Sequence, residues 1–582
     1  MKLARFEIQN FRGITDLKLE LDATTVLIGE NNTGKTSVLE SLYTCMNRGL
    51  SRRATPFSEY DFHLSTQDAE PADAPPLVLT LTFEEVSEDE WVSEIDQAFG
   101  NAVQVLDDDR KRLAFRVTSK FEKATKDFGV EWCFLDKDGN PLPTAKQPKL
   151  VTDLQALAPV FFLGAVRDAS QHFSPKSAFW GPFTKNPQID DSTRTEIEEQ
   201  IGSLNQAILD NHKPFDVIKE RIEQTGKLLP LATSDLVSLE AVPARIFDML
   251  ARTQVKLGCR TGARLPIAQH GAGTQSLSVL FLFEAFLQSR LADAYDKHSV
   301  PILALEEPEA HLHPSAIKAL WSTLDGLAGQ KIIATHSGDL LAAVPLKAIR
   351  RLARKNDKVS VFRVPDGLLA PDEERKIAYH VRAKRGSLLF AKSWLLVEGE
   401  SEFWFLPEAA QCLGHDFESA GVSCVEFAQC GLEPLIKLAR SLGIEWHVLT
   451  DADEAGLRYA RTVRRLLEGE QESKRLTLLA AQDLEHCLWH HGYQSVYQQA
   501  VPATPQQPPP EPKKCASGDP CVWNTPKPTL APETQVIRRA VSSKSKPGMA
   551  IAVIEAVRQT NSPGLPTPIR DAINTAIGNA SL

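Results

Sequence analysis

None of the nine cysteines shows C-x-x-C spacing, and the nearest thing to a pair is Cys515 with Cys521. A disulfide framework and a zinc knuckle are therefore not expected, and the thiols read as free in a reducing cytosol. The chain also has no apolar run long enough to cross a bilayer. Its most apolar stretch, LSVLFLFEAFLQ, is short and contains Glu284. The N-terminus alternates apolar and polar residues, with no apolar h-region and no small-residue cleavage site. These absences predict a cytoplasmic protein with no membrane partner. No internal repeat at a fixed period appears, so a solenoid is not expected. An excess of positive charge is missing too. Lys and Arg number 65 against 75 Asp and Glu, a formal net charge of −10, which excludes a chain coated all over in positive charge but leaves room for a local basic groove.

What is present is ordinary globular composition, 42% hydrophobic and 24% charged, over 582 residues. That length predicts two to four domains. Residues 66–76 read as a polar loop and residues 502–532 as a proline-rich one. Residues 168–263 lack strand alternation and carry helical periodicity, as in EIEEQIGSLNQAIL and PFDVIKERIEQTGKLL, which predicts a helical insertion. Elsewhere short β-branched and leucine-rich runs alternate with helices, the pattern of an α/β fold built on parallel sheets.

Residues 24–37, TTVLIGENNTGKTS, form a strand that runs into Gly29-x-x-x-x-Gly34-Lys35-Thr36, and a helix follows. This is a complete P-loop in its strand–loop–helix context. The glycines and Asn32 let backbone N–H groups turn around phosphate oxygens, and the helix start at Thr36 and Ser37 adds positive potential. Lys35 is placed to reach the β- and γ-phosphates, and the Thr36 hydroxyl to ligate Mg²⁺. The strand ILAL (302–305) ends in Glu306 and Glu307, which suits a Walker B element: one acid for Mg²⁺, one to polarise the attacking water. A later strand, KIIATHS, ends at His336, in position to sense a γ-phosphate. HGAGTQS puts Gly271, Gly273, Thr274, Gln275 and Ser276 at another helix start. One nucleotide cannot easily use two such ends of one lobe, so two copies of the chain are expected, each donating this loop to its partner's ATP.

A second constellation begins after residue 386. The strand SWLLVEGE ends in Glu398, with Glu402 four residues on, and EWHVLTDADEAG is a strand ending in Asp451-x-Asp453. Alternate residues of an extended segment point the same way. Four carboxylates at the ends of two adjacent parallel strands predict a hard, oxygen-rich site for Mg²⁺ or Mn²⁺. Four basic clusters are candidate DNA contacts: Arg350, Arg351, Arg354, Lys355 and Lys358; Arg382, Lys384 and Arg385; Arg458, Arg461, Arg464 and Arg465; and Arg538, Arg539, Lys544 and Lys546.

The first constellation resembles the ABC-type ATPases of the SMC and RecF group, in IQNFRG (8–13) and in EEPEAHLHP (306–314). It departs from them in having Glu306 where that group has aspartate, in lacking the LSGGQ spelling, and in showing no Q-loop glutamine, with Asp61 near that region. These departures favour ATP binding over fast turnover. The second constellation, LLVEGESE with LTDADEAG, resembles the Toprim fold. That resemblance implies further ligands in Asp483 and Glu485 and a lysine near the leaving phosphate, Lys546 in preference to Lys544.

Together the two halves are similar to the OLD (overcoming lysogenization defect) family, which includes the nuclease subunit of the Gabija anti-phage system. AVRDA (165–169) and RGSLLFAKSWLLVEGESE (385–402) support the match. The resemblance implies an ATPase lobe with Walker A over 1–166 and a helical dimerisation insertion over 167–262. It implies a second ATPase lobe with signature, Walker B and His loop over 263–385, and a Toprim nuclease domain over 386–582. It further implies ATP, two Mg²⁺ or Mn²⁺ ions, DNA as substrate, a homodimer or larger homo-oligomer, a role in phage defence or DNA processing, and room for a UvrD-like helicase partner. Competing readings stay open: a DNA repair ATPase whose Toprim half does not cleave, or a strand-passing enzyme, which needs a nucleophilic tyrosine from among Tyr459, Tyr493 and Tyr497.

Overall fold

The computed structural model describes the chain except for residues 47–55, 67, 89, 123–126, 144–147, 166, 168, 175, 186–188, 216, 218–240, 244, 251–252, 259–261, 263, 356–357, 384–385, 503–530, 560 and 582. Cys515, Cys521, most of the proline-rich loop, much of the second helical segment, Lys384 and Arg385 lie outside the described residues. Two compact units form. One comprises Met1–Arg12, Leu19–Thr24 and Thr36–Thr335, the other Gly13–Lys18, Thr25–Lys35 and His336–Leu582.

The first unit holds an antiparallel sheet that the expectation of parallel α/β pairing did not include. Lys2–Phe11 pairs with Leu77–Glu84, which pairs with Lys111–Glu122, which in turn takes Val103–Val105 and Asp127–Leu135. Lys2–Phe11 buries Leu3, Phe6, Ile8 and Phe11, and Leu77–Glu84 is buried at all but Val78 and Glu84. A parallel set follows, Val160–Leu163 beside Ile302–Glu306 beside Gln330–Ala334. Phe161, on the first of these strands, and Phe179, Phe283 and Phe286 pack edge-on or tilted against one another, at centroid separations of 4.8–5.9 Å. Through the expected helical insertion run Asp191–Asn211 and shorter helices. One hairpin, Lys256–Gly258 against Arg264–Pro266, crosses its far boundary. Three-residue strands are too short for alternation to betray them in a sequence.

In the second unit Thr24–Gly29 lies parallel to Ile349–Lys355, which returns antiparallel as Lys358–Arg363. A four-stranded parallel sheet follows in the order Val422–Glu426, Ser393–Val397, Glu445–Thr450, Leu476–Leu478. Ser393–Val397 is buried at every position and Glu445–Thr450 at all but its first, as required of parallel strands covered on both faces. Helices Glu400–Cys412, Lys546–Val557 and Thr567–Ala580 cover it, burying Phe405, Val553 and Ile573.

Two members of the first basic cluster are interior, whereas Arg354, Lys355 and Lys358 are exposed. Arg350 and Arg351 are 1% and 4% exposed. The Arg351 guanidinium donates to the carbonyls of Ala391, Leu442 and Gly443, the backbone just ahead of Ser393–Val397 and Glu445–Thr450. Arg354 donates to Gly13 and Asn32 carbonyls. Arg350 and Arg351 are internal braces, a use that their spacing in sequence does not reveal.

Candidate active sites

In the second unit the P-loop has the backbone its spelling predicts. Gly29 and Gly34 have φ of +149° and +95°, and Asn32 has +64°. A Cβ on Gly29 would lie 2.3 Å from the Leu352 carbonyl oxygen, so the loop needs glycine there for packing as well. Lys35 Nζ donates to the carbonyls of Gly29 and Glu30 at 2.8 and 2.7 Å. His336 is exposed and lies parallel to the Phe390 ring, 10° between planes.

In the first unit the Thr36 hydroxyl donates directly to the Glu306 carboxylate. The helix Lys35–Met46 (which carries Ser37) and the strand Ile302–Glu306 thus bring a Walker A hydroxyl and a Walker B acid into contact. Glu307 turns the chain at φ +42°. Arg167, 5% exposed, was no more than part of a matching segment in the sequence. Its guanidinium reaches the Ser276 hydroxyl and the Glu306 carbonyl, each at 2.8 Å, and the Glu307 carbonyl at 3.4 Å. Burial lowers its pKa to about 10 against the pull of Glu309, Glu306 and Glu307.

Gly271 caps the helix Ala272–Ser289. A Cβ on Gly273 would sit 2.7 Å from the His311 carbonyl oxygen, and the Gln275 amide donates to the Ala268 and His270 carbonyls. Both therefore have structural duties within their own chain. Asp61 is buried and accepts from Arg12, which also pairs with Glu40.

The carboxylates of the second unit gather around one cavity of about 490 Å³. Glu398, Glu402, Asp451, Asp453, Asp483 and Glu485 line it, and so does Lys546; Lys544 does not. Parallel pairing explains the meeting. Glu398 and Asp451 directly follow adjacent strands, and Asp483 follows the next one out. Asp453 Oδ1 accepts from Gly456 N at 2.7 Å and so caps the helix Glu454–Arg465. Glu402 Oε2 accepts from Gly399 N at 3.2 Å, and Glu485 Oε1 from the Ser401 hydroxyl at 2.6 Å.

Sequence reasoning missed the group that braces Asp483. His486 Nδ1 is 2.5 Å from Asp483 Oδ1, and His486 Nε2 is 2.9 Å from the Thr534 hydroxyl. Gln482, Thr534 and Ser542 also line the cavity. Nothing in their spacing signals this, apart from the adjacency of His486 to Glu485.

The six acids share the lining of one cavity. Among the described residues no three His, Cys, Asp or Glu side chains stand close enough to share an ion. Like charges in a partly buried space favour the protonated form. Burial, then Glu402, Glu398, Asp483 and Glu485, push Asp451 up to about 9. Burial and Glu485 push Glu402 up to about 7. Burial and Asp453 raise Glu398. Glu398 Oε2 is buried with no hydrogen-bond partner. An all-oxygen donor set carrying an orphaned carboxylate oxygen and raised pKa values fits a hard divalent cation.

The tyrosines are not placed as nucleophiles. Tyr493 and Tyr497 are 2% and 1% exposed, and Tyr459 packs edge-on against Phe427. Of the basic residues on helix Glu454–Arg465, Arg464 and Arg465 are paired with Glu472 and Glu433.

These geometries define a P-loop ATPase fold joined to a Toprim fold. Residues 1–388 match the family model described as "Protein of unknown function (DUF2813)", and residues 389–453 match "Overcoming lysogenization defect protein-like, TOPRIM domain". The chain is 31% identical over 576 residues to the "Uncharacterized protein YbjD" of Escherichia coli (strain K12), covering 98% of this chain and 97% of that one. It is 27% identical over 480 residues to the "OLD nuclease" of Thermus scotoductus, covering 78% and 82%. It is 20% identical over 458 residues to the "Endonuclease GajA" of Bacillus cereus, covering 78% and 75%. The chain therefore belongs to the DUF2813 family and is an OLD-family ATPase–Toprim protein. No helix among the described residues is long and apolar enough to cross a membrane.

Proposed function

We propose that this protein is an ATP-binding, metal-dependent DNA endonuclease that acts in phage defence or DNA processing. One observation carries the reading: six carboxylates delivered by three adjacent parallel strands share the lining of a single cavity with Lys546. A module that only bound DNA would gain nothing from such acids, which repel a polyanion. The names of the Thermus and Bacillus relatives support the same reading.

Glu398, Glu402, Asp451, Asp453, Asp483 and Glu485 would hold Mg²⁺ or Mn²⁺, and the ions would supply Lewis acidity at the phosphate and its attacking and leaving oxygens. The chain's own part is orientation and charge. Asp453 fixes the start of helix Glu454–Arg465, Ser401 holds Glu485, and His486 holds Asp483. Lys546 stabilises negative charge on the leaving side. Lys35 and the backbone of Gly29–Gly34 would hold ATP phosphates, and Thr36 and Glu306 would hold Mg²⁺, with Glu307 to polarise water. His336, and Gly273 and Gln275 from a second copy of the chain, would complete that site in a homodimer. Residues 386–582 act as the cleaving module.

Incubating the purified chain with supercoiled plasmid and Mg²⁺ or Mn²⁺ tests the reading. Nicked or linear DNA is expected from the wild type and none from Glu398→Ala or Asp451→Ala. Intact plasmid with the wild type would overturn it. Covalent protein–DNA adducts would point to strand passage instead.

A further inference from the structure

One face of the helix Pro532–Lys544 lines the same cavity as the acids. Thr534, Arg538 and Ser542 recur every four residues along it and all line the cavity, so they form a single stripe. Ile537, 4% exposed, fixes that face against the core. Thr534 is tied to the acid side through His486, which bonds Asp483. The helix is thus held at a set distance from the carboxylates. Arg538 and Ser542 are exposed, and neither has a hydrogen-bond or ion-pair partner among the described residues. Six acids share their cavity, yet Arg538 and Lys546 form no ion pair with any of them. A gap that keeps opposite charges apart across about 490 Å³ has room for a group carrying both the missing anion and its counter-cations.

We propose that Arg538 and Ser542 are a binding site for the sugar–phosphate backbone of one nucleic-acid strand. They grip a phosphate neighbouring the one presented to the acids, Arg538 by its planar fork and Ser542 by its hydroxyl. This deepens the nuclease reading and rests on it for the identity of the substrate. Phosphate contacts position a strand without reading its sequence, so the stripe confers register, not base preference.

The test is binding of a fluorescent 20-nucleotide single strand to the full chain in Ca²⁺, measured by anisotropy across a salt series, with plasmid nicking run in parallel. Arg538→Gln should weaken binding about tenfold and lower the salt slope by about 0.7, the value for one lost phosphate contact on a single strand. Ser542→Ala should weaken it about threefold. Arg375→Gln removes the same charge from an exposed position on the helix Pro371–Ala383, outside the cavity lining, and should change affinity less than twofold. Wild-type affinity in Arg538→Gln would overturn the proposal, and so would an equal loss in Arg375→Gln. A wild type that binds with this pattern but never nicks would overturn the nuclease reading and leave the strand site standing. Thermal unfolding of each variant guards against a misfolded helix, and Arg538→Lys, which keeps charge without the fork, should recover part of the affinity.

Discussion

The main-chain oxygen of Asp451 lies where a side chain on Gly456 would have to go: a Cβ there would sit 1.9 Å from it. The first turn of helix Glu454–Arg465 therefore packs against the end of the strand that carries Asp451, and Asp453 caps that turn in between.

Gly456→Ala should be among the most damaging single-methyl additions in the chain. Backbone cannot swing aside as a flexible side chain can, so the helix start must move, carrying Asp453 with it. The expected cost is about 1–3 kcal/mol of stability and loss of plasmid nicking by about 100-fold or more. Denaturant unfolding and a nicking assay on the same preparation check both. Nicking at wild-type rate would show that the placement of Asp453 does not matter.

Lys35→Ala should abolish ATP binding and leave the acid cavity intact. The ammonium is the one side-chain cation of the loop, and its present acceptors are the carbonyls of Gly29 and Glu30. Calorimetric titration with ATP should show a loss of at least about 100-fold, a few kcal/mol for a charged contact to phosphate. Mn²⁺ binding in the absence of nucleotide should be unchanged. Equal ATP affinity in the variant would refute the P-loop assignment.

The raised carboxyls set a pH dependence with a definite sign. Asp451 holds its proton up to about 9 in the folded chain, whereas an unfolded aspartate loses it near 4. Between those values the native state binds more protons than the unfolded one, so stability falls as pH rises. Glu402, at about 7, adds to the fall over the lower part of the range. In EDTA the melting temperature should drop by on the order of a few degrees from pH 5 to pH 9. Saturating Mg²⁺ should flatten the profile, because the ion replaces the protons. The same exchange should release about one proton or more per site on metal binding at pH 7.5. A melting temperature that rises with pH in EDTA, or metal binding without proton release, would contradict the crowded-acid picture.

Much of this is legible in the sequence alone. The strands feeding the P-loop, Glu306, Glu398 and Asp451 are short continuous apolar runs that stop at glycine or acid, and parallel strands buried on both faces have to look like that. Burial of arginine was not legible. Arg350 and Arg351 read as a basic patch, and only the fold shows that Arg351 satisfies three interior carbonyls. Nor was the second wall of the acid cavity. His486 and Thr534 meet from elements 48 residues apart, a contact that packing decides and no local pattern encodes. The spacing of Asp451 and Asp453 put them on one side, but the meeting of the six acids at one cavity follows from the parallel pairing of three strands, which counting carboxylates does not show.

Arg167 carries the last prediction. Its guanidinium fastens the Ser276 hydroxyl, on the helix Ala272–Ser289, to the carbonyls of Glu306 and Glu307. The two acids that would face nucleotide therefore take their backbone position from a buried cation tied to another helix. At a pKa of about 10 that cation stays protonated through the neutral range. Arg167→Met keeps the bulk of the side chain and removes every bond, leaving buried carbonyls without a donor at a cost of about 1–3 kcal/mol. Lys35 and the glycine turns are untouched, so ATP affinity should change less than about threefold, while ATP hydrolysis should fall about 10- to 100-fold as Glu307 loses its fixed turn. Arg167→Lys should rescue little, since a single ammonium cannot replace the planar fork across three acceptors. A folded Arg167→Met protein that hydrolyses ATP at the wild-type rate would show that these carbonyls hold the acids in place without help.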